Sequence, residues 1–369
     1  MIYADNAATT RLDPGAFEAM KPFLLDSYAN PSQPYSFSRG SKKAIKEARE
    51  TIASCIGADP EEVIFTSCGT ESDNWAIKMG AGNNGSIVTS VVEHHAILNS
   101  CKAMEKIGRE VIYAPVDSTG VVNLEWLDKN IKENTRLVSV MFANNEIGSI
   151  QPVSEIAAIA HKHGCLFHTD AVQAVGHVAV DVHAMDIDML SASAHKFNGP
   201  KGIGFLYVRK GIAILPYIDG GSQEKGYRAG TENVASIVAM ANALQGNCVQ
   251  MAENEKYLKF LERQLLDGLS EAGVDYIHNG SDNRIPGNVS LSFKGFEGEA
   301  LLHRLDLMGI CVSTGSACDS VNTQLSHVIR AIHVPEAYVK GTIRISLGKN
   351  NTVKEVQKIV GALGKIIYR

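Results

Sequence analysis

The sequence predicts an α/β protein in which a large, mostly parallel sheet domain precedes a smaller α+β domain. Up to about residue 250, short runs rich in β-branched residues alternate with segments of helical periodicity, and most runs are apolar throughout. Strands that helices cover on both faces have this composition, which favours a parallel sheet. The runs are VIFTS (63–67), SIVTSVV (86–92), VIYAPV (111–116), LVSVMFA (137–143), CLFHTD (165–170), MDIDMLSASA (185–194) and GFLYV (204–208).

The helices carry their own signals. Asp13 and Pro14 predict the first turn of one helix, and Ala44, Ala48 and Ile52 recur on one face of the next. After about residue 250, a long charged helix leads into shorter strand and helix patterns, which predict the smaller domain. The last helix would bury a stripe of Val353, Val356, Val360, Leu363 and Ile367.

Composition and charge exclude several classes of protein. The 369 residues include 35 Lys and Arg against 40 Asp and Glu, a net charge of −5, with 45% hydrophobic residues. This balance excludes a broad basic surface for nucleic acid or anionic lipid. No apolar run approaches the ~18 residues of a membrane span, and MIYADNAATT has no signal-peptide pattern. We therefore expect a cytoplasmic protein without direct nucleic-acid or membrane partners.

The seven cysteines are odd in number and never form a CxxC pair. This spacing argues against a disulfide framework or structural zinc and favours a reducing compartment. Six are expected to be structural or incidental, with Cys311 in the core. Cys318 lies in VSTGSACDS (312–320), a loop composition in which an exposed thiol either reacts as a thiolate or is incidental.

Chemistry-bearing residues follow several predicted strands, where open α/β sheets bind ligands. Thr70 opens a helix whose free N–H groups suit a phosphate, although a simple helix cap would look the same. Asp170 ends its strand and would either pair with a protonated ring nitrogen or cap the next segment. Lys196 follows an apolar strand, where desolvation favours a Schiff base; a surface lysine is the alternative. The order of these three residues along the chain suits a site for pyridoxal phosphate (PLP).

Two further segments carry weaker signals. Arg344 alternates with isoleucines in TIRISLG and faces either solvent or a cleft, where it would clamp a carboxylate. The histidines of HKHGCLFH (161–168) invite a metal interpretation. However, Cys165 and His168 lie on opposite strand faces, so no metal site is expected.

Together these segments resemble the cysteine desulfurases, PLP-dependent enzymes of the aminotransferase-like fold type I, in the NifS/IscS-like branch with the longer active-site loop. The resemblance implies conversion of L-cysteine to L-alanine, with the sulfur held as a persulfide on a cysteine and passed to an acceptor. It spans nearly the whole chain, in order. Its motifs are YADNAATT, ANPSQPYSF, FTSCGTESDNWAIK, VVEHHAIL, ANNEIGSIQP, HTDAVQAVG, SASAHKFNGPKGIGFLYVR, GGSQEKGYRAGTEN, STGSAC, LSHVIRAI and IRISLG.

The resemblance implies a role for each matching residue around PLP. Lys196 would form the Schiff base, Asp170 would pair with the pyridinium nitrogen, and Gln173 would contact the ring hydroxyl. His94 would stack on the ring and help with proton transfer. The phosphate would be held by Thr70, Ser193 and His195.

Substrate and partner roles follow in the same way. Asn145 and Arg344 would bind the substrate carboxylate, and Cys318 would accept the sulfur. Thr231 of RAGTEN would reach the PLP site of a second subunit, which implies a homodimer.

The resemblance also divides the chain. A segment of residues 1–15 would pack with the small domain, 16–255 would form the large PLP-binding domain, and 256–369 would form the small domain with the Cys318 loop. The sequence departs from the family at Gln33 and Tyr35, where Ser and His are common. The loop after Cys318 departs at Asp319, Val321 and Leu325, and an acid beside the nucleophile would raise its pKa.

Three alternatives stay open. A selenocysteine lyase and an aminotransferase share the fold, and a weakly active scaffold for sulfur-transfer partners is a third possibility. The destination of the sulfur also stays open, since iron–sulfur cluster assembly, tRNA thiolation, cofactor synthesis and DNA sulfur modification all use such enzymes.

Overall fold

The computed structural model describes residues 1–80, 82, 85–315 and 325–368, and it confirms the α/β class. Its strands are β1 (Ile2–Tyr3), β2 (Val63–Thr66), β3 (Ser86–Ser90), β4 (Val111–Ala114), β5 (Thr135–Ser139), β6 (Leu166–Asp170), β7 (Met189–Ser193), β8 (Gly204–Val208), β9 (Tyr276–Asn279), β10 (Asn288–Phe293), β11 (Ile310–Cys311) and β12 (Thr342–Ser346). Its helices are α1 (Pro14–Leu25), α2 (Arg39–Ile56), α3 (Gly69–Gly80), α4 (His95–Lys106), α5 (Leu124–Asn130), α6 (Val153–Lys162), α7 (Val234–Val249), α8 (Met251–Glu271), α9 (Gly298–Leu307), α10 (His327–Ala331), α11 (Glu336–Val339) and α12 (Val353–Ile367).

The main sheet has the strand order β2-β8-β7-β6-β5-β3-β4 and contains every predicted apolar run. Only β8 runs antiparallel to its two neighbours, and the remaining pairs are parallel. In the pairing of β6 with β7, Asp170 lies opposite Ser191. The carboxyl ends of these two strands therefore bring the regions of Asp170 and Lys196 together.

Helices cover this sheet as their sequences predict. Asp13 caps α1, since its Oδ1 accepts the N–H of Gly15 at 2.8 Å. On α2, Ala44, Ala48 and Ile52 are buried. Gly57 ends that helix in the left-handed conformation (φ 68°), which favours glycine because it lacks a Cβ.

A second core joins the two ends of the chain. The small antiparallel sheet has the order β12-β10-β9, and β1 pairs in parallel with β11. Ile2 and Ala4 share the core of Leu261, Leu265 and other C-terminal residues. The domain boundaries after residues 15 and 255 stay a prediction.

The structure confirms the stripe of α12, because Val356 and Leu363 are buried and Val353, Val360 and Ile367 pack, partly buried, against the second core. One local expectation was wrong. Cys311 is half-buried rather than part of the core, since it lies on the two-residue strand β11 at the margin of that core.

Among the described residues, no helix combines the length and the apolar character that crossing a membrane requires.

Candidate active site

A cavity of about 250 Å³ lies at the carboxyl ends of β6 and β7. It brings together most of the predicted site residues from elements far apart in the sequence. The predicted residues that line it are Thr70, His94, Asn145, Asp170, Gln173, Ser193, His195, Lys196 and Arg344.

Lys196 ends a short 3₁₀ turn that directly follows β7. Its Nζ donates hydrogen bonds to the carbonyl oxygens of Ala7 at 2.6 Å and Ala8 at 2.9 Å. Gln173 Nε2 donates to the same Ala7 carbonyl at 3.0 Å. The N-terminal segment therefore holds the lysine amine and the Gln173 amide side by side at the cavity wall.

Asp170 is a buried carboxyl group at the end of β6. The backbone N–H of Val172 donates to its Oδ1 at 2.9 Å. Burial raises the pKa of Asp170 to about 6, while the Val172 N–H and the charge of Lys196 act in the opposite direction. A carboxylate in this position can hold a proton on a ring nitrogen above it.

His94 is the N-cap of α4, and its Nδ1 accepts the backbone N–H of Ala96 at 3.1 Å. Burial, followed by the charges of Lys196 and His95, lowers the pKa of His94 to about 4. The ring is therefore neutral at pH 7. Because Nδ1 accepts, the proton of the neutral ring sits on Nε2.

The start of α3 forms a cradle of backbone N–H groups near Thr70. A Cβ on Gly69 would lie 2.6 Å from Cγ2 of Val172, so a side chain at this position would not fit. His195 shares a hydrogen bond between its Nδ1 and Thr9 Oγ1 at 3.1 Å. A helix start at which no side chain covers the backbone N–H groups suits a phosphate group.

Arg344 is only 2% exposed, yet it lines the cavity. Its Nη2 pairs with Asp5 Oδ1 at 2.8 Å, and its Nη1 donates to the backbone carbonyl of Asn145 at 2.9 Å. Within the described part of the chain, its Nε has no hydrogen-bond partner. The guanidinium is thus fixed at one side and retains donor capacity for an anionic ligand.

Thr231 does not belong to this group of residues, and Cys318 cannot be assigned to it. Thr231 is exposed and lines a different cavity together with Ser67 and Arg228, so the structure does not bring it to the site of its own chain. Cys318, together with Asp319 and Val321, lies outside the described residues.

The described residues on either side of Cys318 contact the cavity. Ser313 exchanges two backbone hydrogen bonds with Arg344, at 3.1 and 2.7 Å. The hydroxyl of Ser326 donates to Glu146 Oε2 at 2.5 Å. Both Arg344 and Glu146 line the cavity.

Sequence reasoning missed several residues of the site. The carbonyl groups of Ala7 and Ala8, the Asp5 carboxylate and the buried carboxyls of Asp73 and Glu93 had no periodic or strand-end signal of their own. The motif YADNAATT was the available signal for the first three, because it carries much of the family resemblance.

Glu93 offers a test of this electrostatic environment. The carboxyl is fully buried and accepts hydrogen bonds from Ser90 Oγ at 2.5 Å and from the Met141 N–H at 3.0 Å. Burial raises its pKa from 4.5 to about 8. A group whose pKa is higher in the folded protein stabilises it fully below the unfolded pKa, and this stabilisation is lost as the pH rises toward the folded value.

We therefore expect the Glu93→Gln protein to change the pH dependence of stability. Relative to this variant, the free energy of unfolding of the wild type should fall between pH 5 and 8, at a slope of up to about 1.4 kcal/mol per pH unit. Urea unfolding of the cofactor-free proteins at several pH values measures this difference. Parallel curves for the two proteins would show that Glu93 ionises normally.

Comparison with known proteins places this site in a family. The model of the class-V aminotransferases matches residues 2–359. The cysteine desulfurase IscS of Dictyoglomus turgidum is 47% identical over 100% of this chain and 95% of its own. The solved structure of a NifS-like protein has a TM-score of 0.94 at 39% identity, covering 100% of this chain and 99% of its own. The structure of SspA in complex with cysteine has a TM-score of 0.83 at 35% identity, covering 95% and 100%.

The chain therefore belongs to the class-V aminotransferases, PLP-dependent enzymes of fold type I. Within that family it is a cysteine desulfurase of the IscS/NifS type. The cavity fits PLP, because it joins a lysine amine, a buried carboxyl group and a helix start where a side chain would collide. The amine matches the aldehyde of PLP, the carboxyl group matches its ring nitrogen, and the helix start matches its phosphate.

Proposed function

We propose that this enzyme takes L-cysteine into the cavity described above, releases L-alanine, and passes the sulfur through Cys318 to an acceptor protein. The observation that carries the proposal is the convergence of Lys196, Asp170 and Arg344 on one cavity. These residues supply an amine, a carboxylate for a ring nitrogen and a clamp for a carboxylate. The solved relative SspA binds cysteine, which supports the choice of substrate.

The residues that line the cavity would have separate roles in cofactor binding and proton transfer. PLP, when bound, supplies an electron sink that makes the α-proton of an amino acid acidic. Lys196 would hold PLP through its side-chain amine, and Asp170 would keep a proton on the ring nitrogen of PLP. The Lys196 amine would also serve as the base for the substrate α-proton, and neutral His94 would exchange a proton through Nε2. Thr70, Ser193 and His195 would hold the phosphate.

Arg344 would orient the substrate through its carboxylate. The guanidinium is fixed by Asp5 and by the Asn145 carbonyl, so it needs little reorganisation when it binds an anion. Asn145 would add a contact from its own side chain, which lines the cavity.

The Arg344→Lys protein is expected to raise the KM for L-cysteine by about 10- to 100-fold, with a smaller change in kcat. Lysine keeps the positive charge but lacks the planar guanidinium, which can donate to Asp5 and to a substrate carboxylate at the same time. Initial-rate kinetics measure the change, and PLP absorbance checks that the cofactor still binds. The exposed Arg330 provides the matched control, since Arg330→Lys should leave both constants unchanged. An unchanged KM in Arg344→Lys would remove Arg344 from substrate binding.

Cys318 would act as the sulfur acceptor. Its thiolate would attack the substrate sulfur, so that an S–S bond forms on the protein as the carbon–sulfur bond breaks. The electron pair leaves with the carbon fragment, and protonation of that carbon gives alanine. The anchoring of Ser313 and Ser326 at the cavity supports this assignment, because the chain on both sides of Cys318 begins beside the site.

We further propose a cytoplasmic homodimer that serves a sulfur-acceptor protein such as an iron–sulfur scaffold or a thiolation enzyme. Thr231 lies away from the cavity of its own chain and is exposed, which supports a role at the site of a partner subunit. The described cysteines are free thiols, as a reducing compartment requires. Sedimentation at several concentrations tests the dimer.

One experiment separates this proposal from its rivals. The protein is incubated with PLP and L-cysteine, in the presence of a reductant, and alanine and sulfide are measured. Equal amounts of both products support a desulfurase. An aminotransferase would need a keto acid, a selenocysteine lyase would turn over selenocysteine far faster than cysteine, and a scaffold would release neither product.

A further inference from the structure

A second aspartate, Asp73, lines the same cavity beside Asp170. It is placed on α3 three residues after Thr70, and its side chain is almost completely buried, at 1% exposure. One oxygen of Asp73, one oxygen of Asp170 and one ring nitrogen of His94 lie within 4.8 Å of one another. Within the described residues, Asp73 Oδ1 has no hydrogen-bond partner. The mechanism above makes no use of this carboxyl group.

Two carboxylates this close, and both buried, cannot both ionise at neutral pH, because each would carry an unscreened like charge beside the other. Their surroundings decide which one holds the proton. Asp170 accepts the Val172 N–H at 2.9 Å and is stabilised by the charge of Lys196. Asp73 has no comparable donor at Oδ1. The anion therefore belongs on Asp170.

The two histidines beside Asp73 supply no compensating positive charge. His168 Nε2 lies 3.9 Å from Asp73 Oδ1. That histidine is neutral, because burial lowers its pKa to about 3. Its two ring nitrogens form hydrogen bonds with the hydroxyl groups of Ser139 and Ser191. His94, whose pKa falls to about 4, is also neutral.

The remaining neighbours also favour the protonated acid. Burial first, and then the charge of the Asp170 carboxylate, raise the pKa of Asp73 well above its usual range. The hydroxyl of Ser191 acts in the opposite direction. The balance leaves Asp73 protonated at neutral pH.

We propose that Asp73 is a neutral, proton-bearing carboxylic acid that leaves Asp170 as the single anion of the pair, available to a PLP ring nitrogen. One negative charge on the pair then matches the one positive charge of a protonated ring nitrogen. An ionised Asp73 would place a second, uncompensated charge in the same buried site. The inference rests on the proposed role of Asp170, but the protonation of Asp73 is testable without PLP.

The first test is infrared spectroscopy of the cofactor-free protein at pH 7.5. Aspartate labelled with ¹³C at its side-chain carboxyl shifts its bands away from those of Glu93, whose carboxyl is also protonated. We expect a carboxylic-acid C=O band from labelled aspartate in the wild type, and the loss of this band in Asp73→Asn. Asp117→Asn is the matched control, because hydrogen bonds lower the pKa of that carboxyl and keep it ionised. A wild-type spectrum without the band, or a band that survives in Asp73→Asn, would overturn the proposal.

The second test is the titration of cofactor-free protein with PLP. Asparagine replaces one neutral group by another, so the Kd of Asp73→Asn should stay within about threefold of the wild type, with the same dependence on pH between 6 and 8. A change of tenfold or more that varies with pH would show that Asp73 carries charge. An Asp170→Asn protein that binds PLP normally would instead contradict the role of Asp170, while the infrared result would still decide the protonation of Asp73.

Discussion

The Lys196→Ala protein is expected to fold, to bind PLP without a covalent bond, and to lose desulfurase activity by about 10³-fold or more. Lys196 is the one lysine that lines the cavity in the described part of the chain, and its Nζ is held there by the carbonyls of Ala7 and Ala8. No other lysine among the described residues lines the cavity and could replace it. Borohydride treatment followed by gel filtration measures the covalent attachment, and sulfide release measures the activity.

Lys201 supplies the matched control. It lies five residues further along the same loop, is exposed, and does not line the cavity among the described residues. Lys201→Ala should retain reducible PLP and full activity. Retention of borohydride-fixed PLP by Lys196→Ala, at the wild-type level, would show that another lysine carries the cofactor.

The Cys318→Ser protein is expected to bind PLP normally and to lose sulfide release by about 10³-fold or more, because it removes the nucleophile that takes the substrate sulfur. After incubation with L-cysteine, mass spectrometry of the wild type should show the added mass of one sulfur atom on the peptide that contains Cys318. The variant should show no addition there. Its PLP absorbance separates loss of the nucleophile from loss of the cofactor site.

Two other cysteines serve as controls for this experiment. Cys311 is half-buried and does not line the described cavity, so Cys311→Ser should leave persulfide formation intact. Cys68 does line the cavity, beside the start of α3. If Cys318→Ser still formed persulfide at the normal rate and Cys68→Ser did not, the sulfur acceptor would be Cys68.

The sequence predicted the strands of the main sheet and the positions of Asp170 and Lys196 because their signals are local. Each is a short apolar run followed by a polar residue, and a parallel sheet brings the carboxyl ends of such runs to one edge. Thr70 had a local signal as well, because it opens a helix, whereas His94 was predicted only from the family resemblance; in the structure both lie at helix starts beside this cavity.

The remaining parts of the site depend on contacts between distant segments. No periodicity shows that Asp5 pairs with Arg344, or that the Ala7 carbonyl accepts from Lys196, because these pairs are set by how the N-terminal segment packs on the rest of the chain. The proposed protonation of Asp73 likewise depends on a contact between distant segments. Its spacing from Thr70 places it on the inner face of α3, but the approach of Asp170 appears only in the folded sheet.

The packing of the first ten residues has a consequence for the biosynthesis of the enzyme. Ala4, Asp5 and Asn6 form hydrogen bonds with Ser346, Arg344 and Asn351, which are translated more than 300 positions later. A domain can fold during translation only when its contacting segments have emerged. The contacts of Ala4, Asp5 and Asn6 with the C-terminal core therefore form only after the segment up to residue 351 has emerged, whereas Ala7 can pair with Lys196 earlier. Arg344 and the Asp5 carboxylate that holds it are therefore among the last parts of the binding pocket to come together.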